Sequence, residues 1–154
     1  MSSKEDFVVE TRKNGVTTLR MNRPKQLNGW TLPMMVALKS SFTKLSKDPE
    51  TKVAILTGTD PYYCAGVNLG GTIAVMHPQK LHDMIYKNNA SIFNTFIEFP
   101  KPLLIAANGP GIGACVTSAT LCDAIIASEK ATFSTPFARL CKCLNSKCYA
   151  TFIF

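Results

Sequence analysis

Two five-residue runs, Val53-Ala54-Ile55-Leu56-Thr57 and Leu103-Leu104-Ile105-Ala106-Ala107, constrain this chain more than any other feature. Neither alternates, so neither reads as a strand with one face in water, and both are too short for a helix. They are expected to be inner strands, covered on both faces and paired in parallel. Parallel strands need crossovers, and the intervening segments supply them. Thr31 is a good N-cap, Pro33 suits a first turn, and Met34, Leu38, Phe42 and Leu45 follow at helical spacing, which predicts a helix over Leu32–Ser46 ended by Asp48-Pro49. His77-Pro78 opens a second helix to about Phe96, with Leu81, Ile85, Ile92, Phe93 and Phe96 on one face, and Pro100-Lys101-Pro102 stops it. A short helix is expected over Ala114–Leu121, a strand over Ala124–Ala127 and a further one over Ala131–Phe133. Upstream, Phe7–Thr11 and Val16–Met21 read as a hairpin turning at Asn14-Gly15. Gly58 to Gly71 reads as a loop. The chain is therefore an α/β layer fold with mostly parallel pairing.

Bulk properties narrow the function. The 154 residues are 46% hydrophobic and 18% charged, a balance that suits a packed domain and not a disordered tail. No apolar run is long enough to span a bilayer. The formal charge of +7 suits an anionic partner. The basic residues are scattered and no basic run exceeds two, which favours a small polyphosphate ligand over nucleic acid. The amino-terminal MSSKEDFVVE has neither an apolar core nor a basic transit pattern, and the chain ends Thr151-Phe152-Ile153-Phe154, unlike a Ser-Lys-Leu address. The six cysteines (Cys64, Cys115, Cys122, Cys141, Cys143, Cys148) are expected to be reduced thiols. Cys141, Cys143 and Cys148 lack a fourth ligand at metal-site spacing, and His77 and His82 lack a third, so no metal site is expected.

Four local motifs lie in order on this pattern. They are Asn22-Arg23-Pro24-Lys25 with Asn28; Tyr63-Cys64-Ala65-Gly66-Val67-Asn68-Leu69; Pro100-Lys101-Pro102 leading into Ala107-Asn108-Gly109-Pro110-Gly111-Ile112-Gly113; and Thr135-Pro136-Phe137. Together they resemble the crotonase (enoyl-CoA hydratase/isomerase) superfamily over about residues 6–140, and residues 96–140 look most like the peroxisomal-type Δ3,Δ2-enoyl-CoA isomerases. The resemblance implies a crotonase-like ββα superhelix, of which this chain would carry the N-terminal part without the C-terminal trimerisation helices. It divides the chain into an acyl-CoA-binding unit, 1–140, and a divergent tail, 141–154.

The resemblance also implies a site. The backbone amides of Val67 and Ala114 correspond to the family's oxyanion hole, where N–H donors hold the charge that develops on a thioester oxygen. Ala65, Gly66, Val67, Asn68, Leu69 and Gly113 would line the CoA and thioester positions, and Lys25 (beside Arg23) would approach the CoA phosphates. CoA is part of the substrate, so no separate cofactor is implied. Asp123 is expected to cap backbone amides, and Glu98 and Glu129 to be solvated.

The implied reaction is a double-bond shift of fatty-acid β-oxidation, from a 3-enoyl-CoA to the 2-enoyl-CoA. A Glu moves the proton in the family, and that position falls here on Asn145, whose amide cannot take up a proton. The hydratase branch's Glu position falls on Thr117. The expectation is an isomerase-like protein without turnover in the form given; the alternative is a non-catalytic member that binds acyl-CoA or protein. Family members are homotrimers of peroxisomes or mitochondria, and neither an address nor the expected trimer interface is read in this chain. A chain lacking the covering helices is expected to expose apolar faces of its sheet and to be marginally stable or prone to aggregate.

Overall fold

The computed structural model describes residues 6–68 and 77–136. Val8–Lys13 (β1) and Val16–Met21 (β2) form an antiparallel hairpin. Its turn residues Asn14 and Gly15 both take positive φ, the geometry that matches the twist of the flanking strands. Val53–Gly58 (β3) adds in parallel to β2, Leu103–Ala107 (β4) to β3, and Ala124–Ala127 (β6) to β4. A second, two-stranded sheet pairs Gly111–Ile112 (β5) with Phe133–Ser134 (β7). The helices are Leu32–Lys47 (α1), Pro78–Ile97 (α2) and Ala114–Ala119 (α3). Thr31 accepts the Met34 N–H at the start of α1, and Lys101 Nζ donates to the Leu45 carbonyl at its end, 2.6 Å away. The predicted strands and helices are thus present; β5, inside the expected glycine loop, is an addition.

One core joins α1, α2 and the sheet. Leu19, Leu56 and Ile105 are register neighbours and form a fully buried row, over which Leu38, Phe42, Ile92 and Phe96 pack. Phe96 stacks on Trp30 and lies at 5.1 Å, tilted, against Phe42. The expectation that both faces of the inner strands are covered holds only in part. Ala54, Leu56, Leu103 and Ile105 are buried, whereas Ile55 and Leu104 on the opposite face are half-buried. The physical reason is that α1 and α2 belong to the core on one side. On β6 every residue is exposed, Ile125 by 41% and Ile126 by 65%. Apolar surface on an edge strand is where self-association starts.

Asp48 ties the hairpin to the end of α1. Its carboxylate takes the Thr51 hydroxyl at 2.7 Å, the Glu50 N–H at 3.1 Å and the Arg12 guanidinium. The Thr51 hydrogen bond, then that of Glu50 and the charges of Arg12 and Lys101, hold its pKa below the usual carboxylate range against an opposing effect of burial. A depressed folded-state pKa stabilises the fold above the unfolded pKa and loses that contribution as pH falls through the folded value. In urea titrations between about pH 4 and pH 2, Asp48→Asn is therefore expected to lose less stability with falling pH than the parent chain. Parallel acid limbs for the two proteins would contradict this role.

Candidate functional site

Three short segments, residues 27–31, 63–68 and 110–115, run side by side where β3 and β4 end. Leu27 accepts the Ala65 N–H at 2.9 Å, Trp30 donates to the Gly66 carbonyl at 2.7 Å and Trp30 O accepts the Asn68 N–H at 2.9 Å. On the other side Cys64 donates to Pro110 at 3.2 Å and accepts from Ile112 at 3.0 Å. Gly111 and Gly113 then donate to Thr132 and Ser134. The result is a small ladder of backbone, built beside the main sheet.

Asn28 holds the ladder to the sheet. It is fully buried and sits at φ +55°. Its Oδ1 accepts the Arg23 N–H at 2.9 Å, and its Nδ2 donates to the carbonyls of Thr59 and Tyr62, both at 2.7 Å. Asn108 repeats the device from β4: Oδ1 accepts the Gly58 N–H at 3.0 Å and Nδ2 donates to Asp60 at 2.9 Å. Asn28 was visible in sequence only as part of a motif; its partners come from a chain segment about thirty residues away.

The Trp30–Val67 pairing has a directional consequence. Trp30 bonds to Gly66 and Asn68, which turns the N–H of Val67 to the opposite edge. That edge faces the 112–114 segment. Gly66 is at φ +81°, and a β-carbon built on it would lie well under 3.0 Å from the Ile112 carbonyl oxygen and 3.6 Å from the Ala114 nitrogen. Only a residue without a side chain allows this approach. Among the described residues neither the Val67 nor the Ala114 N–H donates to a backbone carbonyl. Two backbone donors on neighbouring strips of chain can receive one anionic oxygen.

The other expected site residues distribute as follows. Ala65, Val67 and Asn68 are half-buried on the ladder, and Gly113 is the N-cap of α3 at φ +66°, where a β-carbon would enter open space. Lys25 is exposed on the Pro24–Gln26 turn just before the ladder. Arg23 beside it reaches Thr31 at 3.3 Å and lies over the Phe7 ring. Leu69, Phe137, Asn145, Cys141, Cys143 and Cys148 lie outside the described residues. Thr117 is buried in α3. Asp123 accepts the Leu103 N–H at 2.8 Å, a backbone cap as expected, while Glu98 and Glu129 are exposed. His77 caps α2 through its ring nitrogen, 3.3 Å from the Gln79 N–H, and His82 stacks on Tyr86.

Tyr63 is fully buried beneath the ladder, and among the described residues its hydroxyl finds no hydrogen-bond partner. Burial, then the neighbouring Cys115, Cys64 and Cys122, push its pKa far up, so the phenol stays neutral. Burying a hydroxyl without a partner costs more than removing it. Tyr63→Phe is expected to raise stability by about 1 kcal/mol, read from urea midpoints at constant slope. A loss of that size would mean that the hydroxyl is satisfied in solution.

A family profile described as enoyl-CoA hydratase/isomerase matches residues 11–147. The match runs past Leu140 and includes Asn145. Human enoyl-CoA delta isomerase 2 is 36% identical over 139 residues, covering 88% of this chain and 34% of that protein. Mouse peroxisomal enoyl-CoA delta isomerase 3 is 33% identical over 136 residues, covering 86% of this chain and 42% of that protein. An enoyl-CoA hydratase structure from Mycobacterium avium subsp. paratuberculosis K-10 superposes with a TM-score of 0.73 at 26% identity, over 86% of this chain and 51% of that chain. The chain thus spans between a third and a half of the length of these relatives.

Proposed function

The chain belongs to the enoyl-CoA hydratase/isomerase family, and from that premise we propose that it is an enoyl-CoA isomerase-like protein that binds an acyl-CoA and polarises its thioester carbonyl through the Val67 and Ala114 amides. One observation carries the reading: Gly66 packs against Ile112 and Ala114, and among the described residues neither the Val67 nor the Ala114 N–H donates to a backbone carbonyl. An enolate oxygen is best held by donors already aimed at it, and backbone amides need no side-chain ordering to aim. Ala65, Gly66, Asn68 and Gly113 line the CoA and thioester positions, and Leu69, outside the described residues, follows Asn68 in the same motif. Lys25, which is exposed, meets a phosphate as a point charge.

Shifting a double bond from the 3- to the 2-position removes a proton from C2 and returns one at C4, with the dienolate oxygen held between the two steps. A carboxylate can do both transfers. Asn145 occupies the corresponding position and cannot, and the Thr117 hydroxyl is no substitute for the acid of the hydratases. The chain is therefore expected to bind acyl-CoA without isomerising it, and Asn145→Glu to introduce turnover. The measurement is formation of the conjugated 2-enoyl-CoA from a 3-enoyl-CoA, with binding followed separately by calorimetry. Turnover by the parent chain would remove the assignment of the base to residue 145. Absence of acyl-CoA binding would remove the oxyanion reading. The same Asn145 favours, as a second reading, a non-catalytic member whose surface serves acyl-CoA or protein binding; it is distinguished by an Asn145→Glu chain that still fails to turn over.

A further inference from the structure

The two strips of chain that carry the Val67 and Ala114 amides share few backbone bonds. Cys64 and Ile112 are joined, but beyond Ile112 the second strip turns to the other side, where Gly113 donates to Ser134. One thiol crosses the gap and a second ties the first strip to Asn28. The Cys115 thiol, one residue past Ala114, donates to the Cys64 carbonyl at 2.9 Å and accepts the Ile112 N–H at 3.1 Å. The Cys64 thiol donates to the Asn28 carbonyl at 3.2 Å and accepts the Gly66 N–H at 3.3 Å, one residue before Val67. Both side chains are fully buried. Asn28, Cys64, Gly66, Ile112 and Cys115 are thereby linked in one continuous chain of bonds.

We propose that Cys64 and Cys115 are positioning residues: the Cys115 thiol braces the 112–115 segment against the 64–67 segment, and the Cys64 thiol fixes the latter to Asn28, at the separation that lets the Val67 and Ala114 amides act on one oxygen. This rests on the oxyanion reading above. Thiols suit the task because sulfur is large and polarisable and both donates and accepts weakly, so it spans a gap that a hydroxyl on the same carbon, with its shorter bond, reaches only in part. They also suit it electrostatically. Burial, and then the contact with Cys115, push the Cys64 pKa well up, so the Cys64 thiol carries no negative charge beside the place where one would form.

The test combines amide hydrogen exchange with a spectroscopic ligand, acetoacetyl-CoA, whose enolate form absorbs in the near ultraviolet. Cys115→Val preserves bulk but cannot bond. It is expected to speed exchange at Gly66 and Ile112 by about fivefold and to weaken the bound-enolate signal by a similar factor, with binding of CoA itself changed by less than about twofold. Cys115→Ser, which restores a donor and acceptor, should recover part of both losses. Cys122→Ala serves as the control, since among the described residues that thiol bonds within its own segment, to Ser118, and should move neither reading. Unchanged exchange at Gly66 and Ile112 in Cys115→Val overturns the brace, whatever the ligand shows. Equal weakening of CoA and acetoacetyl-CoA overturns the positioning role in favour of general loosening. A parent chain with no enolate signal removes the oxyanion reading, and exchange alone then decides whether the thiols hold the two segments.

Discussion

Gly66→Ala is expected to lose acyl-CoA binding altogether and about 2–4 kcal/mol of stability. Two costs combine. At φ +81° a β-carbon meets its own backbone, which costs about 1–2 kcal/mol for an L-residue. The larger cost is the Ile112 carbonyl, which is backbone and belongs to a residue whose own N–H is tied to the Cys64 carbonyl at 3.0 Å, so it cannot swing away alone. It must carry the 112–114 strip with it, separating the Ala114 amide from that of Val67. Gly15→Ala separates the two costs. Its φ is +80°, but its new β-carbon meets only the flexible Lys52 side chain, 3.2 Å away. That variant should pay the conformational cost and still bind. Urea denaturation and acyl-CoA calorimetry on both chains decide the matter. Equal destabilisation with binding intact in both would mean that the 66–112 approach has no bearing on the site.

The second large effect is expected from Asn28→Asp. The two side chains have the same shape, but Nδ2 donates to the carbonyls of Thr59 and Tyr62, and a carboxylate oxygen there faces two acceptors with nothing to donate. Breaking a buried polar network this way costs about 3–5 kcal/mol. The pH dependence carries the signature. Burial and the facing carbonyls raise the new carboxyl's pKa in the fold, so the folded state binds more protons than the unfolded one and stability falls as pH rises above about 4. Lowering the pH should therefore restore part of the loss, because a protonated Asp can donate once. Asn28→Ala loses the same bonds without that recovery. Thermal melts of both variants across pH distinguish them, and a pH-independent Asn28→Asp would mean that Asn28 bonds differently in solution.

Much of this architecture was legible residue by residue. The runs at Val53 and Leu103 are inner strands because nothing in them can face water for long, and the breaks at Asp48-Pro49 and Pro100-Lys101-Pro102 stop α1 and α2 by removing donors and restricting φ. Thr31 caps α1 as its side chain and position require. Less was legible where a residue's partner is remote. β5 could not be read from Gly111-Ile112, since two residues have no period; it is a strand only because Phe133 and Ser134 lie alongside. The half-covered face of Ile55 and Leu104 was missed for a related reason: an apolar run reports that a strand tends to be buried, not which helices reach each face.

The site divides the same way. The motif resemblance nominated Gly66, Val67 and Ala114, and the glycines marked places where backbone comes close to something. What comes close was not written there. That the strip opposite Gly66 is Ile112–Ala114, that Asn28 spends its amide on Thr59 and Tyr62, and that Cys115 reaches across to Cys64 follow from the parallel order of β2, β3 and β4, which brings three turns to one end of the sheet. Local hydrogen bonding and hydrophobic period act over a few residues, so the order of residues alone determined the elements, their caps and the inner strands. Contacts between segments tens of residues apart depend on how the layers close, and only that closure decided which amides face one another and which side chains hold them there.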